Sequence, residues 1–577
     1  MAKIDGGEML VRVLRQEGVT ELFTLHGGHL DAIYQAALDY DLRLIDTRHE
    51  QAAGHCADGY ARTTGQIGVA IVTAGPGVTD VVTAVANAYL DCVPTLFIGG
   101  AAPLRDQEAL PLQGGLDQVA MMVPITKWST RVTHTHRIPD IVAQAIRIAT
   151  TGRPGPVFLE LPIDVLFARE EETTAHFPVT VRPEAAPGPA PEAVAKTLDL
   201  LAAAERPAIM VGGGALFSGA VDELREFAER TGIPVMANGK ATGLIPAGHD
   251  LCGGAFGTLA AAALVGEPAD VVLVLGARLG MFVGGRGAPL IPAAARVVQV
   301  DIAGEEIGRN REIELGIVAD CREMLRALNV VAAGRTWETR EQWQATVRSA
   351  ALAGSQPFAE HLIDDDGPVH PYRLAVEVVR AAGPDAIVIA DGGETSGWVA
   401  SAAQVHAPGH FLSHGYLGCL GVGLPFAIAA KVAHPDKPVV CVSGDGSIGL
   451  NFSEFDTMVR HGLSIVTVIN NDTIWGMSAH GQDILFGRER RAATELGRVR
   501  YDEAAAGFGC HAELIEGSAE LGPALARAFD AGRPACLNVM TDPNVVSPAT
   551  AAMYGAARQD DDESEIPVPY YANLEAD

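Results

Sequence analysis

"GDGSIGLNFSEFDTMVRHGLSIVTVINND", residues 444–472, decides how this chain is read. It opens on Gly444-Asp445-Gly446 directly after the apolar run Pro438–Ser443. It closes on Asn470-Asn471 directly after a second run, Ile465–Ile469. Two apolar runs around a helical segment, about Phe452–His461, make one strand–helix–strand unit of a parallel sheet. In such sheets ligands bind beyond the carboxyl ends of the strands. Asp445 and Asn471, 471 − 445 = 26 positions apart, then face one crevice, and Thr473 can add a backbone carbonyl. An all-oxygen set with one charge suits a hard divalent cation that keeps ligand positions for phosphate and water, which describes Mg²⁺ better than zinc. Gly444 and Gly446 let backbone N–H groups approach a phosphate, and the helix start after them favours it. A lone GDG is more often only a turn; the joint spacing is far more specific.

The same texture runs through most of the 577 residues. Short apolar runs such as Ile67–Thr73, Val157–Leu161, Val271–Leu275 and Ala386–Ala390 alternate with helix-like segments. The runs do not alternate in polarity, as expected of strands buried on both faces. The class is α/β, with doubly wound parallel sheets. Pro-rich and acidic stretches at 171–193 and 352–369 read as linkers. They separate blocks at 1–170, 194–340 and 370–545, followed by a tail at 546–577.

A formal net charge of −29 argues against a nucleic-acid partner, which would need a basic footprint. The eight cysteines form no CxxC pair and read as thiols in a reducing compartment. Every apolar run is broken before the ~18 residues a membrane span needs. The start has no basic-then-apolar leader pattern. The expectation is a cytoplasmic protein without a membrane partner.

Residues 444–471 resemble the diphosphate-binding motif of thiamine-diphosphate (ThDP) enzymes, and the resemblance covers nearly the whole chain. Arg48–Arg62 (RHEQAAGHCADGYAR) resembles the segment carrying that family's activating glutamate. It implies three domains, pyrimidine-binding (1–170), middle (194–340) and diphosphate-binding (370–545), with cofactor sites between two subunits of a homodimer or homotetramer. On this resemblance Glu50 activates the cofactor and Leu420 supports its rings. Thr73, Gly75, Gly392, Gly393 and Gly418 line the pyrimidine, while Gly444, Asp445, Gly446, Ser447 and Asn471 hold the diphosphate. Asp445, Asn471 and Thr473 hold Mg²⁺. His26 and His29 (LHGGH, 25–29), Gln113 (LQGGLDQ, 112–118) and His414 are candidates to move protons around the substrate.

Within the family, AMMVPITKW (120–128) and HGYLG (414–418) are similar to the benzaldehyde lyase, oxalyl-CoA decarboxylase and 2-hydroxyacyl-CoA lyase group. AATEL (492–496) resembles a stretch of 2-hydroxyacyl-CoA lyases in which a glutamate assists proton transfer, here Glu495. Ile163, Ser396 and Gly481 stand where benzaldehyde lyase has aromatic walls, so a widened entrance is expected. Arg278, Arg286, Arg488, Arg490 and Arg491 could meet coenzyme A phosphates. Tyr570 and Tyr571 suggest a tail that closes over the substrate as a lid. The leading expectation is a Mg²⁺-dependent lyase cleaving a 2-hydroxyacyl-CoA to formyl-CoA and a ketone or aldehyde. The alternative is a CoA-independent acyloin lyase or carboligase of benzaldehyde lyase or acetolactate synthase type. A flavin oxidase is the third reading, but Gly212–Ala215 and Gly276–Gly280 lack GxGxxG spacing, which counts against FAD.

Overall fold

The structure is a computed structural model that describes residues 3–179, 182–283, 290–353, 356–363 and 367–558. A short antiparallel ribbon pairs β1 (Lys3–Asp5) with β8 (Arg169–Glu171). Between them, β2 (Glu21–Thr24), β3 (Arg43–Asp46), β4 (Gly68–Val72), β5 (Thr95–Ala101), β6 (Trp128–Arg131) and β7 (Val157–Pro162) form one parallel sheet, in the order β3-β2-β4-β5-β7-β6. A second parallel sheet contains β9 (Pro207–Val211), β10 (Val235–Ala237), β11 (Val271–Leu275), β12 (Arg296–Asp301) and β13 (Leu315–Val318), in the order β10-β9-β11-β12-β13. The third contains β14 (Ile387–Asp391), β15 (Phe411–Ser413), β16 (Val439–Gly444), β17 (Val466–Asn471), β18 (His511–Ile515) and β19 (Ala535–Met540), in the order β15-β14-β16-β17-β19-β18. Every residue of β4, β9, β11 and β14 is buried. Helices cover both faces of these strands, which is why their sequences show no polar alternation. The doubly wound α/β expectation is met three times over.

The first and third sheets repeat one strand order, second-first-third-fourth-sixth-fifth in chain sequence. In each, the order reverses between the first and third strands, so a crevice opens beyond β2 and β4, and another beyond β14 and β16. The two domains also share a hydrophobic core, in which Phe23, Phe97 and Phe158 join Phe426 and Phe455. The helix Glu50–Thr64 lies against the helix Gly423–Ala433 so closely that a Cβ at Gly59 would fall 2.8 Å from Phe426 Cδ1. Among the described residues no helix is long and apolar enough to cross a membrane, and all eight cysteines are free.

A polar clasp fixes the turn that leads into Glu50. The Arg48 N–H donates to both carboxylate oxygens of Glu454, at 3.1 and 3.2 Å, and Thr457 Oγ1 donates to Glu454 at 2.6 Å. Arg460 and His461 reach Asp46 at 2.5 and 2.9 Å. Glu454 is fully buried, and burial pushes its carboxyl up to about 7 against these bonds. In the unfolded chain the group returns to its ordinary 4.5. Between those values the folded state keeps a proton that the unfolded state releases, so this group's contribution falls as pH rises through that window and is flat above it. Glu454→Gln keeps an acceptor for Arg48 and removes the titration. Denaturant midpoints measured from pH 5 to 8 should therefore depend less on pH in the variant; equal slopes would disprove the assignment.

Candidate active site

The crevice beyond β14 and β16 is built from close backbone approaches. Gly392 has φ +108°, and a Cβ there would sit 3.2 Å from Ser447 Oγ and 3.3 Å from Gly444 N. The structure thus brings Gly392 against the Gly444–Ser447 turn. A Cβ on Gly393 would lie 3.1 Å from Met477, and one on Gly446 only 2.5 Å from the Trp475 ring. Asp445 is 2% exposed. Its Oδ1 accepts the Gly446 N–H at 2.9 Å, while its Oδ2 is buried with no hydrogen-bond partner. Burial, and then the neighbouring Asp472 carboxylate, raise the Asp445 carboxyl well above its ordinary value; Asp472 is also raised, chiefly by burial. A buried, unpartnered carboxylate oxygen beside a second carboxylate is a charge deficit that a divalent cation relieves, so these residues fit Mg²⁺.

The other expected ligands are already engaged. Asn471 Oδ1 accepts the Thr473 N–H at 3.2 Å, and its Nδ2 donates to Asn538 Oδ1 at 2.9 Å. Thr473 has φ +65°, and its carbonyl accepts the N–H groups of Leu496 and Gly497 at 2.8 and 3.2 Å. The sequence reading passed over Asn470, whose buried Oδ1 is unpartnered while its Nδ2 donates to Thr395 Oγ1 at 2.9 Å. It also missed a buried brace around Glu394. His480 Nδ1 lies 3.0 Å from Glu394 Oε2, His480 Nε2 lies 3.0 Å from the Pro543 carbonyl, and the Ser547 N–H donates to Glu394 Oε1 at 3.1 Å. Burial opposes charge on His480, yet Glu394 outweighs it and holds the imidazole above its ordinary value. No spacing rule connects positions so far apart in the chain.

On the N-terminal side, His29 follows β2 and Thr73 follows β4, with Thr73 Oγ1 3.3 Å from His29 Nδ1. Burial lowers His29, which favours a neutral imidazole able to accept a proton. Gly75 has φ +66°, and a Cβ there would lie 3.1 Å from Gln113 Cβ, so His29, Thr73, Gly75 and Gln113 gather at one strand edge. Buried Gln118, which the sequence reading left out of the site, fastens this edge. Its Oε1 accepts the Gly75 N–H at 2.7 Å, and its Nε2 donates to the Gly100 carbonyl at 3.0 Å and to Glu160 at 2.8 Å. Glu50, 6% exposed, opens the helix that follows β3 at the same edge. His26 instead stacks on Tyr34 and pairs with Asp31 at 3.1 Å.

His414, Gly418 and Leu420 lie on the loop after β15. His414 Nδ1 is buried without a partner, and burial lowers its pKa. Gly418 has φ +64°, and Leu420 is half-buried. Glu495 bridges Ile474 through its backbone, but its side chain is 70% exposed and lies 3.6 Å from Arg491.

Three features expected for coenzyme A take different positions. The space at Gly481 is closed, since a Cβ there would meet the Tyr554 ring at 2.2 Å. Arg491 is held by Asp483 through two bonds of 2.7 Å, and Arg278 donates to the Leu90 carbonyl at 2.6 Å. Arg488 and Arg490 are exposed, whereas Arg286, Tyr570 and Tyr571 lie outside the described residues, as does most of the tail.

Family comparison agrees with this geometry. Residues 4–121, 194–328 and 391–539 match the N-terminal TPP binding, central and C-terminal TPP binding domains of thiamine pyrophosphate enzymes. The chain belongs to the thiamine pyrophosphate enzyme family. It is 35% identical over 545 residues to an acetolactate synthase large subunit from Mycobacterium tuberculosis, covering 94% of this chain and 97% of the relative. It is 31% identical to acetolactate synthase isozyme 1 large subunit from Escherichia coli, covering 94% of each. It is also 31% identical to a 2-hydroxyacyl-CoA lyase from Arabidopsis thaliana, covering 94% and 96%. The unpartnered Asp445 oxygen leads us to expect that a cation there would carry the cofactor's diphosphate. In calorimetry, Asp445→Ala should abolish the Mg²⁺ dependence of ThDP binding; unchanged affinity would overturn the metal assignment.

Proposed function

We propose that the protein is a ThDP- and Mg²⁺-dependent carboligase of the acetolactate synthase type, joining two molecules of a small 2-oxo acid such as pyruvate with loss of carbon dioxide. The observation that carries this reading is the Tyr554 ring seated on Gly481. It fills space at a position where the sequence led us to expect a widened entrance for a coenzyme A arm. Arg278 and Arg491, two of the arginines that could have met its phosphates, are engaged within the protein. A field set by −29 net charge also opposes a multiply charged thioester more than a monoanionic acid. The acetolactate synthase relatives support the same choice, which was the alternative of the sequence reading.

When bound, ThDP supplies a nucleophilic carbon that adds to a keto group and stabilises the electrons left by decarboxylation. In this reading Asp445 would hold Mg²⁺ together with Asn471 and the Thr473 carbonyl, the latter on release of its pairing with Leu496 and Gly497. Gly444, Gly446 and Ser447 offer backbone N–H groups and a hydroxyl to the diphosphate. Gly392, Gly393 and Gly418 would permit close approach of the pyrimidine, Thr73 and Gly75 would cap it, and Leu420 would support the rings. Glu50 would be the group that exchanges a proton with the pyrimidine ring once the cofactor is bound. His29 and His414, both lowered by burial, accept or return protons at the substrate oxygen, and Gln113 orients it. The active unit in this reading is at least a dimer, with Glu50 of one subunit serving the diphosphate site of the other.

A second reading, 2-hydroxyacyl-CoA cleavage, is favoured by the Arabidopsis relative and by the exposed Arg488 and Arg490. Incubation with pyruvate should give acetolactate, and incubation with 2-hydroxyisobutyryl-CoA should give no formyl-CoA; the reverse pattern selects the lyase. Glu50→Gln should still bind ThDP but exchange the cofactor C2 proton roughly a hundredfold or more slowly. Wild-type exchange in this variant would remove Glu50 from its role. Mixing Glu50→Gln with Asp445→Ala subunits should regenerate one intact site per mixed dimer. No recovery, despite demonstrated subunit exchange, would place the whole site in one chain.

A further inference from the structure

All three domains meet at Asp91, which follows the helix Pro76–Leu90 and is 2% exposed. Arg62 Nη1 of the N-terminal domain reaches its Oδ2 at 2.7 Å, and Lys240 Nζ of the middle domain approaches the same oxygen at 3.5 Å. From the C-terminal domain, Tyr416 donates its N–H to Asp91 Oδ1 at 3.1 Å. Gly415 lies so tightly on the carboxylate that a Cβ there would fall 1.8 Å from Oδ2. The ring of Tyr416 is then held from the middle domain. The Arg278 guanidinium sits 4.2 Å over it, and the Phe282 ring meets it edge-on at 4.8 Å.

The charges at this junction are balanced. Arg62 also grips Asp58 at 2.6 and 3.1 Å, so two carboxylates face Arg62 and Lys240. Without Lys240, buried Asp91 would share a single guanidinium with Asp58, an undercompensated arrangement. The middle-domain glycines serve the same contact. A Cβ on Gly213 would fall 2.6 Å from Lys240 Cε, and Gly214 packs against Gly276, where a Cβ would lie 2.8 Å from its Cα.

The loop held this way is the one that carries His414, Gly418 and Leu420. Its far end is fixed within its own domain, by the Gly421 and Gly423 N–H groups on Asp391 at 3.2 and 3.0 Å. Its near end leaves β15 at Ser413, which pairs with Ala390 of β14, and is fixed across domains as well, by Asp91 and by Arg62 on the Ser413 carbonyl at 3.4 Å. We propose that the middle domain sets the register of the His414–Leu420 loop through Lys240 and Arg278, which makes both of them positioning residues for the site. The catalytic consequence rests on the function proposed above; the clamp itself does not.

The test separates the two. Lys240→Met keeps the aliphatic stem and removes the charge, and Lys240→Arg keeps the charge. In the cofactor-free protein, amide exchange of peptides spanning 413–421 should quicken about tenfold in Lys240→Met and return toward wild type in Lys240→Arg. Turnover with pyruvate should fall about tenfold in kcat with KM within twofold, again restored by arginine. Arg278→Leu, which removes only the ring and carbonyl contacts, should quicken the same peptides and gives a reading if Lys240→Met does not fold. Unchanged exchange in both variants would overturn the clamp, and faster exchange with unchanged kcat would overturn the positioning role. Failure of the proposed function would show differently, as wild-type protein inactive on pyruvate while the exchange difference persists.

Discussion

An unpartnered carboxylate oxygen in a pocket closed to water is costly, and Asp445 carries one. Much of the C-terminal domain is arranged around that position. The strand order reverses beside it, between β14 and β16, and three glycines, Gly392, Gly444 and Gly446, crowd the turn so that no side chain can fill the space. Tyr501 donates its hydroxyl to the Asp445 carbonyl, which fixes the backbone and leaves Oδ2 of the carboxylate without a partner. Asp472 adds a second negative group rather than a counter-ion. The protein stores an electrostatic deficit there, one that a divalent cation carrying a diphosphate, as proposed, would cancel.

The N-terminal domain applies the same topology to the opposite chemistry. Its reversal lies between β2 and β4, and the groups beyond those strands are a neutral-leaning imidazole, a threonine and a glycine. Gln118 satisfies both the Gly75 N–H and the Gly100 carbonyl and is itself anchored on Glu160, so a neutral amide ties the edge together. One strand order therefore gives one crevice with two neighbouring carboxylates, Asp445 and Asp472, and one beside the imidazole of His29. The shared core around Phe426 and the clasp at Glu454 keep the two in fixed relation within a chain.

What was legible in the sequence was local. Continuous apolar runs announced strands buried on both faces, and the spacing from Asp445 to Asn471 put them at the ends of neighbouring or near-neighbouring strands; β16 and β17 are neighbours. Gly392 and Gly75 were expected in the site from family resemblance, and the structure gives both a positive φ, a conformation that favours glycine. What escaped depends on partners distant in the chain. Glu394 meets Ser547 across 153 positions, Arg278 reaches Leu90 across 188, and Tyr554 seats itself on Gly481 from the far end of the domain. Nothing in the local pattern of an arginine or a glycine tells whether its space belongs to a ligand or to the protein. That is how a pocket expected to be wide came to be closed on one side.

Burial pushes the titratable groups of the site in opposite directions with one outcome. It lowers His29 and His414 and raises Asp445, Asp472 and Asp391, in each case by disfavouring the charged form. A site lined this way presents little fixed charge of its own once a cation sits at Asp445. That matters in a chain of net charge −29, whose long-range field repels every anion. A small acid with one carboxylate meets this repulsion once, and the field is screened over about 10 Å at ordinary ionic strength. A thioester bearing several phosphates meets it several times over and needs cationic side chains at the entrance to offset it. Arg278 and Arg491, which could have done so, are turned inward onto Leu90, Tyr416 and Asp483. The same guanidinium that would have drawn a phosphate to the site instead holds the loop on which His414 and Leu420 stand.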